Sequence, residues 1–296
     1  MTAEATRPRE TATSDAPAAR GRAMRRLLRN PAGMFGLVLA ALLVGAALLA
    51  PVIAPHAPEA VDFGTLRRPP SWAHWLGTDE LGRDQLSRVL YGLRSSLAVG
   101  LLAVLIAAAV SVPLGLVAGY YRRWGDPIVS RLNDALMSFP FLVLAVGLAA
   151  ILGPSLLNAA IAIGVSQVPN MVRVVRGETL RLANENYVEG AIAVGASDAS
   201  VLVRHILPNS VNALLIQITV GIPAAIIGES LLSFLGLGVQ PPTPSLGTML
   251  SGAQPFFALA PWLAVFPGLV IVVATLAFNL LGDGLRDALD PKGRPR

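Results

Sequence analysis

The chain has 296 residues, of which 54% are hydrophobic and only 14% are charged. A typical soluble domain carries about a quarter charged residues, so this balance excludes an ordinary soluble protein and indicates an integral membrane protein. The formal net charge is +5, which we attribute to the positive charge held on the cytoplasmic side of a membrane rather than to nucleic-acid binding. The sequence contains no cysteine, which excludes disulfides and thiolate metal sites.

The N-terminal residues 1–30 are rich in Thr, Ala, Pro and Arg without an apolar period, which predicts a disordered, basic cytoplasmic tail. The first apolar run, about residues 34–53, is long enough to cross a hydrocarbon layer of about 30 Å. A cleaved signal peptide is the alternative, but its apolar core would span only about 7–15 residues. We therefore expect an uncleaved helix within residues 31–94, followed there by a polar extracytoplasmic segment.

Five further apolar runs follow within a predicted membrane core over residues 95–285. Gly115 and Gly119 form a GxxxG pair in the first of these runs, for which close helix contact and chance are equally good explanations. Residues 236–261 are expected to form a loop, and residues 286–296 a cytoplasmic tail. The predicted fold is all-α with six transmembrane helices, the last five at about residues 95–119, 135–152, 156–175, 211–235 and 262–281.

The distribution of basic residues predicts the orientation of these spans. An even number of spans places both termini on one side of the membrane. The tails and loops on that side hold 18 Arg and Lys residues, whereas the opposite side holds five, all between residues 67 and 94. Because Arg and Lys concentrate in cytoplasmic loops, we predict a multi-pass bacterial inner-membrane protein with both termini in the cytoplasm.

The polar segment 184–209, between the fourth and fifth predicted spans, is expected to be folded. Asn186 and Glu189 have the spacing of a capping box, so a short helix is expected over about residues 187–194. Gly195 favours the left-handed conformation in which helices often end.

A second short helix is predicted in the same segment. Ser197 is expected to cap it, and it should end before Pro208, because the residue ahead of a proline avoids helical geometry. The sequence thus predicts two small cytoplasmic helices, joined by a turn and placed to contact a partner.

No motif for catalysis or nucleotide binding is present. A phosphate-binding loop needs Gly-Lys-Ser/Thr, and the only lysine, Lys292, is followed by Gly293. The three histidines, His56, His74 and His205, stand far apart in different segments, so no metal site is expected. We predict a non-catalytic chain without its own cofactor, whose energy for transport would come from a partner.

Glu229 is the exception in spans that are otherwise nearly free of charge. Ionisable groups inside a membrane often mark ion or substrate routes, so this carboxylate is a possible pathway residue. The alternative is a residue near the outer end of its helix that pairs locally or meets water.

The 184–209 segment resembles the cytoplasmic motif of bacterial ABC importer permeases: Glu-Ala-Ala, three residues, Gly, nine residues, then Ile-x-Leu-Pro. Gly190 replaces the first Ala and His205 stands at the Ile position. Three further blocks, residues 76–88, 232–250 and 279–291, are similar to the second permease of the dipeptide/oligopeptide branch, a pattern that nickel importers share. The motif positions that match are Glu189, Ala191, Gly195, Leu207 and Pro208.

The resemblance implies a type I ABC importer-like permease whose coupling helices sit in a groove of an ATPase subunit. Its expected partners are a homologous second permease, two ATPase subunits that bind ATP and Mg²⁺, an extracytoplasmic solute-binding protein, a di- or oligopeptide and the lipid bilayer. Nickel or another small solute is an alternative cargo, and a self-sufficient secondary transporter or channel an alternative class. The expected coupling residues are Tyr187, Val188, Glu189, Gly190, Ala191, Gly195, Ala196, Leu207 and Pro208.

Overall fold

A computed structural model describes residues 25–289. Most of the predicted tails, 1–30 and 286–296, lies outside the described residues. Within them the chain is helical, and the only extended pairing is an isolated bridge between Thr78 and Asp84. The all-α prediction is therefore confirmed for the part of the chain that the structure describes.

Most of the described helices follow one another with short connections, but a long loop over residues 54–84 separates the first two main helices. An α-helical turn at Asp198–Ser200 and a π-helix at Val201–Ile206 run without a break into the long helix that begins at Leu207. Short 3₁₀ turns lie at Phe63–Thr65 and Gln254–Phe256. The main helices are α1 (Pro31–Ile53), α2 (Gln85–Tyr120), α3 (Gly125–Met137), α4 (Phe141–Leu152), α5 (Leu156–Leu182), α6 (Asn186–Ala193), α7 (Leu207–Phe234), α8 (Leu246–Ala253) and α9 (Trp262–Leu289).

Among the described helices, four are long and apolar enough to cross a membrane: α1, α2, α9 and the continuous helix from Asp198 to Phe234. The pair α3 and α4, bent by 89° at its break, makes a fifth if it is one span. α5 has 27 residues, but its second half carries Arg173, Arg176 and Arg181, and it is too polar to meet the same criterion. The described chain thus has four or five apolar spans, and the predicted count of six is not reached.

Three predicted boundaries are wrong. The span expected over residues 135–152 breaks between Met137 and Phe141, because the residue ahead of Pro140 disfavours helical geometry. The loop expected over residues 236–261 contains α8, which begins with a capping box between Ser245 and Thr248. The second span starts ten residues earlier than expected, because the side chain of Asp84 caps α2.

The core lies where α2, α5 and α7 meet, and α2 packs most extensively against α5. The GxxxG glycines of α2 face α5: a Cβ at Gly115 would lie 2.5 Å from Val175 Cβ, and one at Gly119 would lie 2.5 Å from Thr179 Cβ. Neither position has room for a side chain. The pair therefore serves close helix contact, in line with the first of its two explanations.

Candidate functional site

The first helix of the 184–209 segment forms almost where it was predicted, but it begins differently. α6 spans Asn186–Ala193, and Glu185 precedes it without a side-chain capping bond. The predicted capping box is wrong because Asn186 is already the first helical residue, so its side chain is not placed to accept from the N–H groups of the first turn.

The end of α6 confirms the role expected for Gly195. Its φ is +87°, a left-handed conformation that costs glycine little. The Gly195 N–H donates to Ile192 O at 2.9 Å, and the Ala196 N–H donates to Ala191 O at 3.0 Å. These two bonds form a Schellman motif, which satisfies carbonyls left open at a helix end.

The second half of the segment differs from the prediction. The Ser197 side chain does accept from Ser200 N, so the predicted cap is confirmed. The helix, however, does not stop before Pro208. Leu207 N donates to Leu202 O, five residues back, and this widened turn leads into α7, where Pro208 occupies the first turn and its missing N–H is tolerated. The two-helix prediction is therefore wrong in its second half: that element is the beginning of α7.

The segment has one face in the core and one face exposed. Val188 is fully buried, and Ala196 and Leu207 are partly buried against the same cluster. Ala191 is half-buried. The exposed side chains and glycines of the segment include Tyr187, Glu189, Gly190, Ile192, Val194, Gly195 and Pro208.

Hydrogen bonds hold the ends of the segment to the last residue of α2 and to the connection that follows it. Tyr120 Oη donates to Asp198 Oδ1 at 3.0 Å, and Arg122 Nη2 donates to Asn184 Oδ1 at 3.0 Å. Partial burial, and then the charge of Glu185, raise the pKa of Tyr187, so its phenol is neutral at physiological pH. These bonds anchor the chain on both sides of α6, so the exposed middle of this helix is held in place.

A second feature is a cleft of about 440 Å³ between α4, α5 and α7. Phe141, Met171, Val174, Val220, Gly221 and Ala224 form its apolar wall. Its polar lining comprises Gln167, Asn170, Arg173 and Gln217. The Nε2 atom of Gln167 is buried without a hydrogen-bond partner, and unpaired buried donors are uncommon because they cost free energy.

The sequence analysis missed this cleft. An available signal was the spacing of Gln167, Asn170 and Arg173, which recur at three-residue intervals and share one face of a helix. Gln217 lies on another helix, so its proximity could not be inferred from spacing.

Glu229 does not line the cleft. It is fully buried, and its carboxylate accepts from Ser96 Oγ at 2.5 Å and from Ser233 Oγ at 2.7 Å. Its neighbours therefore match the alternative of local pairing, and a role in the pathway remains only a prediction.

The expectation that the histidines are far apart is wrong for two of them. The rings of His56 and His74 lie 4.9 Å apart between centroids, beside Asp84. His205 lies in the π-helix before α7, near the opposite end of α2. The loop between α1 and α2 folds back on itself and brings the first two together.

Comparison with known proteins places this architecture in a family. Residues 111–295 match the family described as "Binding-protein-dependent transport system inner membrane component", and residues 20–70 match "N-terminal TM domain of oligopeptide transport permease C". The chain belongs to this family of transport permeases. It is accordingly a non-catalytic permease subunit of an ABC importer, as the resemblance in the sequence implied.

Two curated relatives of this permease are glutathione transport system permease proteins GsiD. The protein of Pectobacterium atrosepticum is 46% identical over 272 residues, which are 90% of this chain and 89% of that protein. The protein of Escherichia coli O157:H7 is 47% identical over 269 residues, with the same coverage. Among solved structures, inward-facing MetNI methionine ABC transporter matches with a TM-score of 0.57 at 18% identity, over 68% of this chain and 96% of that one. That likeness concerns the fold alone.

Proposed function

We propose that this permease carries short peptides of the size class of glutathione. It forms half of a translocation pathway, and a homologous second permease forms the other half. An extracytoplasmic solute-binding protein delivers the cargo, and two ATPase subunits bind ATP and Mg²⁺ and drive the cycle. The similarity to glutathione permeases over 90% of the chain supports this cargo class.

The observation that carries the proposal is the two-sided 184–209 segment. Its buried face, with Val188 fully enclosed, fixes α6 to the core, while Tyr187, Ile192 and Val194 expose apolar surface. An apolar helix face that the chain itself does not cover is suited to a groove on another protein. We assign that groove to an ATPase subunit.

The continuity of the helix from Asp198 to Phe234 suits transmission of force. Movement of the docked α6 would reach α7 through only the short turn of residues 194–197, since the helix is continuous from Asp198 onward. α7 contributes Gln217, Val220 and Gly221 to one wall of the polar cleft, which we propose to lie on the translocation pathway, so this helix links the turn after α6 to that pathway. The ATPases must bind one conformation better than another for this coupling to work.

The lining of the cleft favours a peptide over a metal ion. Three amide side chains can exchange hydrogen bonds with peptide groups, and the guanidinium of Arg173 can pair with a carboxylate. The lining contains no imidazole and no carboxylate, the ligands that nickel prefers when thiolates are absent. Nickel remains the alternative cargo, on the grounds of the shared sequence blocks.

We further propose six membrane crossings with both termini in the cytoplasm. α5 would cross with its polar face on the cleft rather than on lipid. The basic residues after α2 and at the end of α5, including Arg122 and Arg181, then lie on the cytoplasmic side with the 184–209 segment.

A substitution at Gly190 tests the docking surface. A Cβ at this position meets no atom within 4 Å, so Gly190→Trp should fold and insert normally but fill the groove that receives α6. We expect uptake to fall at least tenfold and the co-purifying ATPase to decrease. Gly190→Ala is the matched control and should keep both. Normal uptake and ATPase binding by Gly190→Trp, at equal membrane abundance, would refute ATPase docking on this face.

The cargo is tested by uptake in cells that contain the complete transporter. Labelled glutathione, di- and tripeptides and ⁶³Ni²⁺ are compared with and without Arg173→Gln. We expect peptide uptake that falls with this substitution and no nickel uptake. Nickel uptake without peptide uptake would establish the alternative cargo.

A further inference from the structure

The loop between α1 and α2 (residues 54–84) brings two imidazoles and a carboxylate to one point. His74 Nδ1 lies 2.9 Å from Asp84 Oδ1, and His56 Nδ1 lies 3.7 Å from the same oxygen. One ligand atom from each of the three residues lies within 4.8 Å of the other two. His56 lies in the loop just after α1, His74 lies further along the loop, and Asp84 is the residue just before α2.

Hydrogen bonds to the side chain of Ser87 hold two of these ligand residues in place. Asp84 Oδ2 accepts from both Ser87 N and Ser87 Oγ at 2.8 Å, which leaves Oδ1 directed at the imidazoles. The same Ser87 Oγ accepts from the His56 backbone N–H at 3.1 Å. Ser87 thus holds the carboxylate and the His56 backbone together.

The backbone of His74 is held separately. Its N–H donates to Ser71 Oγ at 3.2 Å, and its carbonyl accepts from Ser71 N at 2.8 Å and from Gly77 N at 2.9 Å. Hydrogen bonds to ligand side chains orient metal ligands and strengthen metal sites; Ser87 acts on Asp84 in this way, and the bonds to His74 fix the backbone that carries its ring.

We propose that His56, His74 and Asp84 form a binding site for one divalent transition-metal ion of the Zn²⁺ type. Ligand atoms around tetrahedral Zn²⁺, with bonds of about 2.0–2.1 Å, lie about 3.3 Å apart. The observed separations of 2.9 and 3.7 Å from Asp84 Oδ1 bracket that value, and all three ligand atoms lie within 4.8 Å of one another, so rotation of the histidine side chains can close the site. The ion replaces the hydrogen bond between His74 and Asp84.

The ligand set determines the class of ion. Two imidazoles and one carboxylate suit Zn²⁺, Ni²⁺ or Cu²⁺, whereas Ca²⁺ and Mg²⁺ prefer oxygen ligands. The Asp84 side chain is 1% exposed and that of His56 is 44% exposed, so the site has a buried anchor and an open side for entry. Three protein ligands leave a coordination position for water.

A bound ion would link the outer ends of α1 and α2 through the loop. This role is structural and separate from the cargo, because the site shares no residue with the polar cleft. It also stands independently of the proposed function.

The test is metal binding by the full-length chain, purified with the subunits that accompany it and carrying a tag without histidines. Equilibrium dialysis against buffered Zn²⁺, followed by elemental analysis, gives stoichiometry and affinity. The variants are His56→Ala, His74→Ala and Asp84→Asn, the last of which keeps an oxygen to cap α2. His205→Ala is the matched control, since this histidine lies near the opposite end of α2.

We expect one Zn²⁺ per chain in the wild type and in His205→Ala, with affinity at least about tenfold lower in the other variants. Zinc X-ray absorption should show nitrogen and oxygen neighbours with imidazole scattering. Absence of binding by the wild type, or equal affinity in His56→Ala, would overturn the proposal. Because His56 is the most exposed ligand, its variant decides the matter if another variant misfolds.

Discussion

The α1–α2 loop (residues 54–84) and the 184–209 segment lie at opposite ends of α2, a helix of 36 residues that is about 54 Å long at about 1.5 Å per residue. The loop and the first turn of α2 use their charged side chains on one another: Asp79 pairs with Arg83 and Arg88 in a buried network. The segment leaves Glu189 exposed, and no described side chain hydrogen-bonds to it. A region that pairs its own polar groups stays fixed, whereas exposed side chains are free for a partner.

The largest effect is expected in the buried ion network. Asp79→Ala leaves the guanidinium of Arg88, a residue only 7% exposed, without its carboxylate. Loss of one partner of a buried pair costs about 3–5 kcal/mol. Unfolding in mixed micelles measures the loss. The control Glu80→Ala removes a more exposed partner of Arg83 and should cost about 1 kcal/mol or less. Equal costs would show that Asp79 is not the centre of the network.

Two glycines with positive φ sharpen the comparison. A Cβ at Gly82, with φ +74°, would lie 1.8 Å from the Asp62 carbonyl oxygen, whereas one at Gly195, with φ +87°, meets nothing within 4 Å. Gly195→Ala should cost about 1–2 kcal/mol from backbone strain alone. Gly82→Ala adds a clash of about 1–3 kcal/mol. Thermal melting should therefore rank Gly82→Ala well below Gly195→Ala, and the opposite order would contradict the difference in packing.

A substitution close to the C-terminal end of α2 tests whether the two regions are independent. Gly119→Ala places a methyl group against Thr179 and should cost about 1–3 kcal/mol. Limited proteolysis should then show earlier cleavage in residues 184–209, while the α1–α2 loop stays protected. Gly177→Ala, in α5 where an added Cβ meets no atom within 4 Å, is the control for the same substitution without a clash. Simultaneous opening of both regions would mean that α2 unfolds as one unit.

The smallest effect is expected at Gly190. Gly190→Ala restores the common residue of the family motif in an open position, and alanine stabilises a helix interior by about 0.5–1 kcal/mol relative to glycine. Its melting temperature should be equal to or slightly above that of the wild type. A clear decrease in the permease purified without its ATPase subunits would show that this chain itself covers the face around Gly190.

Elements that depend on neighbouring residues were predicted well from the sequence, whereas features that depend on contacts between distant residues were not. Gly195 and Ser197 were correctly assigned because a left-handed turn and a cap depend on neighbouring residues. The stop before Pro208 was wrong because a proline is tolerated in the first turn of a helix, and a widened turn can lead into it. The proximity of His56 to His74 was not foreseen, since it depends on the path of a 31-residue loop.

The same contrast holds for function. The spaced motif from Glu189 to Pro208 pointed directly to the permease family, and the family match supports it. The polar cleft was missed because its wall combines side chains of separate helices, among them Gln167 and Gln217. Glu229 drew attention as a charge within a span. Its partner Ser233 lies four residues further along the same helix, whereas its other partner, Ser96, becomes visible only when α2 and α7 are packed together.

The π-helical turn at Val201–Ile206 also sets how far α7 is rotated about its own axis relative to the residues before the turn. Relative to a regular α-helix, such a turn holds one additional residue, which rotates everything beyond it by about 100°. Removing a single residue there would leave both flanking surfaces chemically intact but would turn α7 by more than a quarter of a circle. The side of α7 that lines the cleft and the exposed face of α6 would then be out of register, although neither had lost a contact-forming group.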